Sequence, residues 1–315
     1  MRGELRFPPH GLFTIQKDVT QKMADFFPQV VNALQLGSIY ALVALGYSMV
    51  YGIIMLLNFA HGDIIMVGAY ATYFAVCQYG LHPLVAVLIA VVISTLLGVL
   101  IEKAAYTPLR SAPRLSLLIT AIGVSFLLEN GAQLLFGADT KSMVKTPLIS
   151  GTLELGGVSV TLSAVITILV SVVAMVALTF LVQKTKLGKA MRAVSEDMGA
   201  AQLMGISLNK TISFTFAIGS FLAGIGAVLH VGSYFQASPM MGSMLGLKAF
   251  VAAVLGGIGS IPGAMIGGFA IGIVETLVTA AGLSTWKDGV VFAILIVVLL
   301  VKPTGILGRP MVEKV

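Results

Sequence analysis

Charge is what this sequence has least of. Only 10% of its 315 residues are charged while 57% are hydrophobic, and the mean hydropathy is +1.01, against about 25% charged residues in an ordinary soluble domain. Too little polar surface is available to cover a water-exposed fold, which leaves a polytopic membrane protein. Cysteine is almost missing as well. The single Cys77 excludes an intrachain disulfide and a multi-cysteine metal site, and its apolar setting reads as a small buried hydrophobe. No GxxxxGK[ST] phosphate loop occurs, so the chain has no evident means of hydrolysing ATP. Nor does a ladder of ionisable residues cross the apolar runs as in many proton-driven carriers. No cofactor or metal is expected on this chain, and whatever drives it is expected to bind from outside.

What is present is apolar sequence rich in small residues. The 35 glycines and 15 methionines suit close helix packing in lipid, where small side chains let backbones approach. A bilayer core about 30 Å thick needs about 20 apolar residues per helix. That ruler marks nine candidates: Gln29 to Leu57, Ile64 to Cys77, Leu84 to Ile101, Leu115 to Phe136, Leu162 to Leu181, Ile212 to Val231, Met244 to Leu255, Ala264 to Ala280 and Val290 to Val301. The first is too long for one simple span and the second and seventh are too short, so broken helices are expected there. The fold class is therefore all-α and polytopic, with about 8–10 crossings.

The net charge of +6 does not point to nucleic acid, because the bases sit in short loops beside apolar spans, where the positive-inside rule puts them. Lys103, Arg110 and Arg114 lie in one such loop, five bases lie between 183 and 210, and Lys302, Arg309 and Lys314 lie in the tail against Glu313. Together they hold more than half of the 19 bases. Even numbers of spans separate these three segments, so all can face the cytoplasm, with the carboxyl terminus. The loop 137–161 is charge-balanced, with Lys141 and Lys145 against Asp139 and Glu154, and is assigned outside; its ISGTLELGGVSVT reads as a hairpin. Residues 1–28 lack an apolar core of signal-peptide length, and Pro8 and Pro9 oppose an early helix. They read as an amino-terminal lead-in to a transmembrane domain, 29–303, followed by a cytoplasmic tail, 304–315.

The segment 183–210 is the one long polar island. It carries Lys184, Lys186, Lys189, Arg192 and Lys210 against Glu196 and Asp197, yet Leu187, Ala190, Met191, Val194, Met198 and Ala201 recur at helical spacing. A helix capped by Ser195 and starting at Glu196, ended by Gly205, with Ala200 and Ala201 allowing close docking, is the expectation. A solvated charged loop with a surface-lying helix is the plainer alternative.

Two other stretches put polar or irregular sequence at membrane depth. In the first, Asn58, His61, Gly62 and Asp63 interrupt apolar runs, and such groups are functional suspects. Three readings compete: a catalytic His61 oriented by Asp63, a structural break whose side chains cap half-helix ends, and a break that also lines a solute path. The second stretch, with Gly256, Gly257, Gly259 and Pro262, reads as a tight re-entrant turn or an ordinary short loop. Lys248 and Glu275 flank it at similar distances, which places them at similar depth as an intramembrane ion pair. Glu129, Asn130 and Gln133 form a polar stripe of the kind that joins helices. An internal repeat is indicated by laying 57–70 over 256–269, which pairs Met66 with Met265, Gly68 with Gly267 and Tyr70 with Phe269. The repeats could be parallel or, with one miscounted span, inverted.

The stretches GSIYALVALGYSMVYGIIMLLNFAHGD (37–63) and LGLKAFVAAVLGGIGSIPGAMIGG (245–268) resemble the two signature regions of the branched-chain amino acid ABC permease family, in its LivH-type subunit. LGKAMRAVSEDMGAAQLMGI (187–206) is similar to that family's cytoplasmic coupling loop. The resemblance implies an importer of the bacterial inner membrane, embedded in lipid. It would contain two permease subunits, two cytoplasmic ATPases that use ATP and magnesium, and a periplasmic solute-binding protein, working by alternating access. Arg192, Glu196, Asp197, Ala200, Ala201 and Gly205 would then couple the chain to an ATPase. The solute could be a branched-chain amino acid or, as in relatives, an amide or urea. A self-sufficient carrier or channel is the alternative outside this family.

Overall fold

The computed structural model describes residues 10–55, 57–110, 112–143, 148–155 and 158–308. Pro8, Pro9, Lys145, Arg309, Glu313 and Lys314, used in the charge and lead-in arguments, lie outside them. Eleven α-helices carry the described fold: α1 His10–Ile54, α2 His61–Tyr73, α3 Pro83–Ile101, α4 Arg114–Phe136, α5 Leu162–Lys184, α6 Lys186–Glu196, α7 Met198–Leu203, α8 Leu208–Tyr234, α9 Met241–Gly256, α10 Ile261–Ala280 and α11 Lys287–Val301. Every one of the nine apolar candidates is a helix. Seven helices are long and apolar enough to cross a membrane, while α2 and α9, with 13 and 16 residues, are the short ones. A π-helical turn, Phe74–Gln78, lengthens α2, and Cys77 within it is half-buried rather than fully buried.

The first span is not broken. Its excess length is taken up by one continuous helix that begins inside the segment read as a lead-in and passes Pro28 without interruption. The break comes after it, at 55–60, where Met55 adopts a φ of 51°. His61, Gly62 and Asp63 are therefore not irregular backbone but the first turn of α2.

Local chemistry sets the starts and stops. Pro83 opens α3 beside the His82 N-cap, whose Nδ1 accepts from the Leu84 amide at 3.3 Å. Ser260 caps α10 by accepting from the Gly263 amide at 3.2 Å, with Pro262 in the first turn. Between α9 and α10 the chain reverses in four residues, and Gly257 and Gly259 take φ values of 104° and 88° that other residues rarely adopt. The tight-turn reading of this stretch holds.

Hydrogen bonds tie the connecting loops together at the two ends of the bundle. At one end the Tyr106 hydroxyl donates to Asn58 Oδ1 at 2.8 Å, Ser213 donates to Glu102 Oε2 at 2.7 Å, and Arg110 donates to Asn209 Oδ1 at 2.5 Å. The Gly259 amide donates to Ser48 Oγ at 2.9 Å, and the amides of Ile306 and Leu307 donate to the carbonyls of Leu255 and Gly256. The basic segments around 103–110 and 184–210 and the start of the tail thus share one end. At the other end Gln35 Nε2 donates to Ser233 and Ser163, and β1 (Lys141–Ser142) pairs antiparallel with β4 (Gln236–Ala237). The expected hairpin is there too, as β2 (Thr152–Leu155) and β3 (Val158–Thr161). Consequently α2 and α10, the helices of the two similar stretches, leave the same end in the same direction, which is the parallel arrangement.

The core is built on α1 and α8, with Ile39, Leu42, Leu45, Phe216, Ala223 and Ala227 all buried. Leu84, Leu88, Leu96 and Leu100 on α3 stay exposed at helical spacing, a row suited to lipid. α1 crosses α10 through glycine contacts: a Cβ on Gly268 would lie 2.4 Å from Ala41 Cα, and one on Gly272 equally close to Gly37 Cα. Only glycine permits that approach.

Candidate functional site

α2 and α9 cross as closely. A Cβ on Gly62 would sit 2.2 Å from the Gly242 carbonyl oxygen and 3.0 Å from Gly246 Cα. His61 fills the space beside Gly46, its ring 4.8 Å from that of Tyr47 in an edge-on contact. No hydrogen bond joins His61 to Asp63; two residues apart on a helix, they face different directions. The catalytic pairing is thereby removed. The capping reading fails as well, because Ala60 occupies the N-cap with no side-chain bond and Asn58 is engaged with Tyr106. What the break does is seat Asn58, His61 and Asp63, all at most 2% exposed, inside the bundle. Among the described residues no group of three or more His, Cys, Asp or Glu could hold a metal.

Asp63 Oδ1 lies against Gly242 at the start of α9, and neither of its carboxylate oxygens has a hydrogen-bond partner of good geometry. Glu129 is buried, with Oε1 also unpartnered. The polar stripe on α4 therefore divides. Glu129 turns inward, Asn130 is exposed and donates to the Phe126 carbonyl, and Gln133 reaches Met240 Sδ at 3.5 Å.

Lys248 and Glu275 meet as expected, Nζ to Oε1 at 2.9 Å, both buried. They are part of a larger group. Lys248 also pairs with Asp288 at 2.6 Å, Lys287 with Glu275 Oε1 at 3.1 Å, and the Tyr40 hydroxyl donates to Glu275 Oε2 at 2.6 Å. Two bases meet two acids, and every polar atom of Glu275 is engaged. Asp288 and Lys287 stand at the start of α11, where sequence spacing alone had no reason to bring them to this depth.

At the basic end, the island folds as two helices rather than one. Thr185 Oγ1 caps α6 by accepting from the Gly188 amide at 3.0 Å. Asp197, not Ser195, caps α7, its Oδ1 accepting from the Ala200 amide at 2.9 Å, while Ser195 Oγ donates back to the Arg192 carbonyl. The reason is that a carboxylate at 197 satisfies an amide that the Ser195 hydroxyl, already bonded within α6, does not. Gly205, at φ 82°, follows the end of α7 as expected. Met191, Val194 and Ala201 are buried against the bundle, so Ala201 is not available on the outer surface of α7. Leu203 and Met204 are, at 90% and 83% exposed. Arg192, Glu196, Asp197, Ala200 and Gly205 are exposed as well. The apolar pair in QLMG, off the face marked by Val194, Met198 and Ala201, was the available signal.

A family model described as branched-chain amino acid transport system / permease component matches residues 29–299. The chain is 44% identical over 308 residues to the high-affinity branched-chain amino acid transport system permease protein LivH of Salmonella typhimurium, covering 94% of this chain and 100% of that one. It is 42% identical over 303 residues to the corresponding permease protein BraD of Pseudomonas aeruginosa, covering 92% of this chain and 98% of that one. The probable branched-chain amino acid transport permease protein LivH of Methanocaldococcus jannaschii shares 28% identity over 303 residues, 93% of this chain and 94% of that one. These relatives are named as permease proteins of transport systems. With a match that spans its helices from α1 into α11, the chain belongs to the branched-chain amino acid permease family.

Proposed function

We propose that this chain is a transmembrane permease subunit of an ATP-driven importer in the bacterial inner membrane, moving branched-chain amino acids inward by alternating access. Its partners are a second permease subunit, two cytoplasmic ATPases that bind the ATP and magnesium, and a periplasmic solute-binding protein. The observation that carries the reading is α6–α7: a folded, basic helical pair, packed on the bundle through Met191, Val194 and Ala201, that turns Leu203 and Met204 outward. An exposed apolar pair on a segment that also exposes Arg192, Glu196 and Asp197 has the mixed composition of a protein interface. The shared end of the basic segments is then cytoplasmic, with the carboxyl terminus on the same side.

Inward movement requires the crossings of α1 with α10 and α2 with α9 to have two packings, and glycine contacts permit helices to slide without side-chain barriers. Pulldown of the tagged chain in mild detergent with its ATPase tests the reading. The ATPase is expected to copurify with the intact chain and to be lost on deletion of Glu196 to Gly205. A chain that never retains an ATPase, or a deletion that leaves retention unchanged, contradicts it. Amides and urea remain the alternative solutes, and transport assays with each decide among them.

A further inference from the structure

α3 does not end as an ordinary α-helix. Its last turn, Glu102–Tyr106, is π-helical, a local irregularity that recurs at functional sites. Glu102 and Tyr106 stand four residues apart and are both buried, so one turn reaches two neighbours. Toward α8, Glu102 Oε2 accepts from the Ser213 hydroxyl at 2.7 Å, while Oε1 accepts from Thr107 at 2.6 Å and Arg110 at 3.1 Å. Arg110 in turn donates to Asn209 at 2.5 Å, and the Tyr106 ring lies 5.5 Å from that of Phe216. Asn209, Ser213 and Phe216 follow one another at helical spacing, so the first turns of α8 grip the π-helical turn.

That stretch of α8 is joined to α7 by four residues, and the link is hydrogen-bonded. The amides of Met204, Gly205 and Ile206 donate to the carbonyls of Ala200, Gln202 and Ala201. A displacement of α7 is therefore delivered to Asn209 and Ser213 with little slack. On the other side, the Tyr106 hydroxyl donates to Asn58 Oδ1 at 2.8 Å. The Asn58 carbonyl accepts the amide of His61, the first residue of α2, and Gly62 follows at the crossing with α9. The two grips differ in kind. Both oxygens of Glu102 are engaged, whereas Asn58, 2% exposed, leaves its Nδ2 donor without a partner. A buried donor left open is costly in the conformation that leaves it so.

We propose that Tyr106 and Asn58 are positioning residues for transport, their hydrogen bond passing the movement of α7 and α8 to the start of α2 and so to the α2–α9 crossing. Asn58 is the partner-changing member, its open donor being met in the second packing. This inference deepens the importer reading and rests on it.

Tyr106→Phe, Asn58→Leu and the double variant test it in proteoliposomes holding the full complex, with leucine uptake and ATP hydrolysis read on the same vesicles. Tyr106→Phe keeps the ring against Phe216, so assembly, ATPase retention and hydrolysis are expected to stay unchanged. Leucine delivered per ATP is expected to fall about fivefold, the equilibrium worth of one ordinary hydrogen bond. The double variant is expected to be no worse than Tyr106→Phe, since both changes remove the same bond. An unchanged ratio in Tyr106→Phe, losses that multiply in the double variant, or uptake and hydrolysis falling together overturns the inference, the last result marking the bond as framework. The importer reading fails separately, if the unsubstituted complex takes up no leucine with ATP.

Discussion

Two groups of buried charge in one bundle behave as opposites. Around Lys248 two bases and two acids neutralise each other and Tyr40 completes the last acceptor of Glu275, whereas at the α2–α4 seam Asp63 and Glu129 stand without a cation. A buried charge that is fully paired holds helices in place, here α9, α10 and α11. A buried charge left unpaired weakens the fold that carries it. Of these intramembrane polar residues, the first group therefore serves as framework and the second does not.

The comparison is broken most directly by removing one partner. Lys248→Ala leaves Glu275 and Asp288 facing Lys287 alone and is expected to cost about 3–5 kcal/mol, the usual loss when one member of a buried pair is removed. Lys248→Ala with Glu275→Ala leaves Lys287 and Asp288, whose charges balance, and is expected to cost less, by thermal unfolding in detergent; a double variant no better than the single one contradicts the pairing. Gly62→Ala comes next. Its methyl group meets the Gly242 carbonyl, and overpacking of this kind costs about 1–3 kcal/mol, read in the same assay. Asp197→Ala deletes the α7 cap for about 1 kcal/mol, seen as faster proteolysis between α6 and α7. The smallest effect on stability belongs to Asp63→Asn, expected to leave the unfolding temperature unchanged or raised, since an uncompensated carboxylate is neutralised. A loss as large as that of Lys248→Ala would show that Asp63 is framework after all.

Much of this was legible from residues alone, and for physical reasons. A chain with 10% charge has only the membrane as a solvent, and span length sets nine helices within it. Glycine and proline at 256–262 mark a reversal because few backbones tolerate that sequence otherwise. Lys248 and Glu275 were found because a short turn mirrors positions on either side of it. Less was legible where tertiary geometry decides. The unbroken α1 could not be told from a broken one by length, because a helix extending beyond the bilayer obeys no length limit. Asp197 replaced Ser195 as a cap because a register shift of two residues depends on where α6 stops. Asn58 and Tyr106 are far apart in sequence, and the packing that joins them has no local signature. Leu203 and Met204 were not singled out, because apolar spacing does not say which side of a short helix the bundle covers.

The central claim is that an external ATPase drives this chain through α7. The measurement is leucine uptake into proteoliposomes containing the full complex, comparing the intact chain with one carrying Leu203→Asp and Met204→Asp. Uptake by the intact chain is expected to require ATP and the ATPases, and the double variant, its buried packing untouched, is expected to abolish uptake. Leucine flux through the chain reconstituted alone, or full ATP-dependent uptake by the double variant, would contradict it.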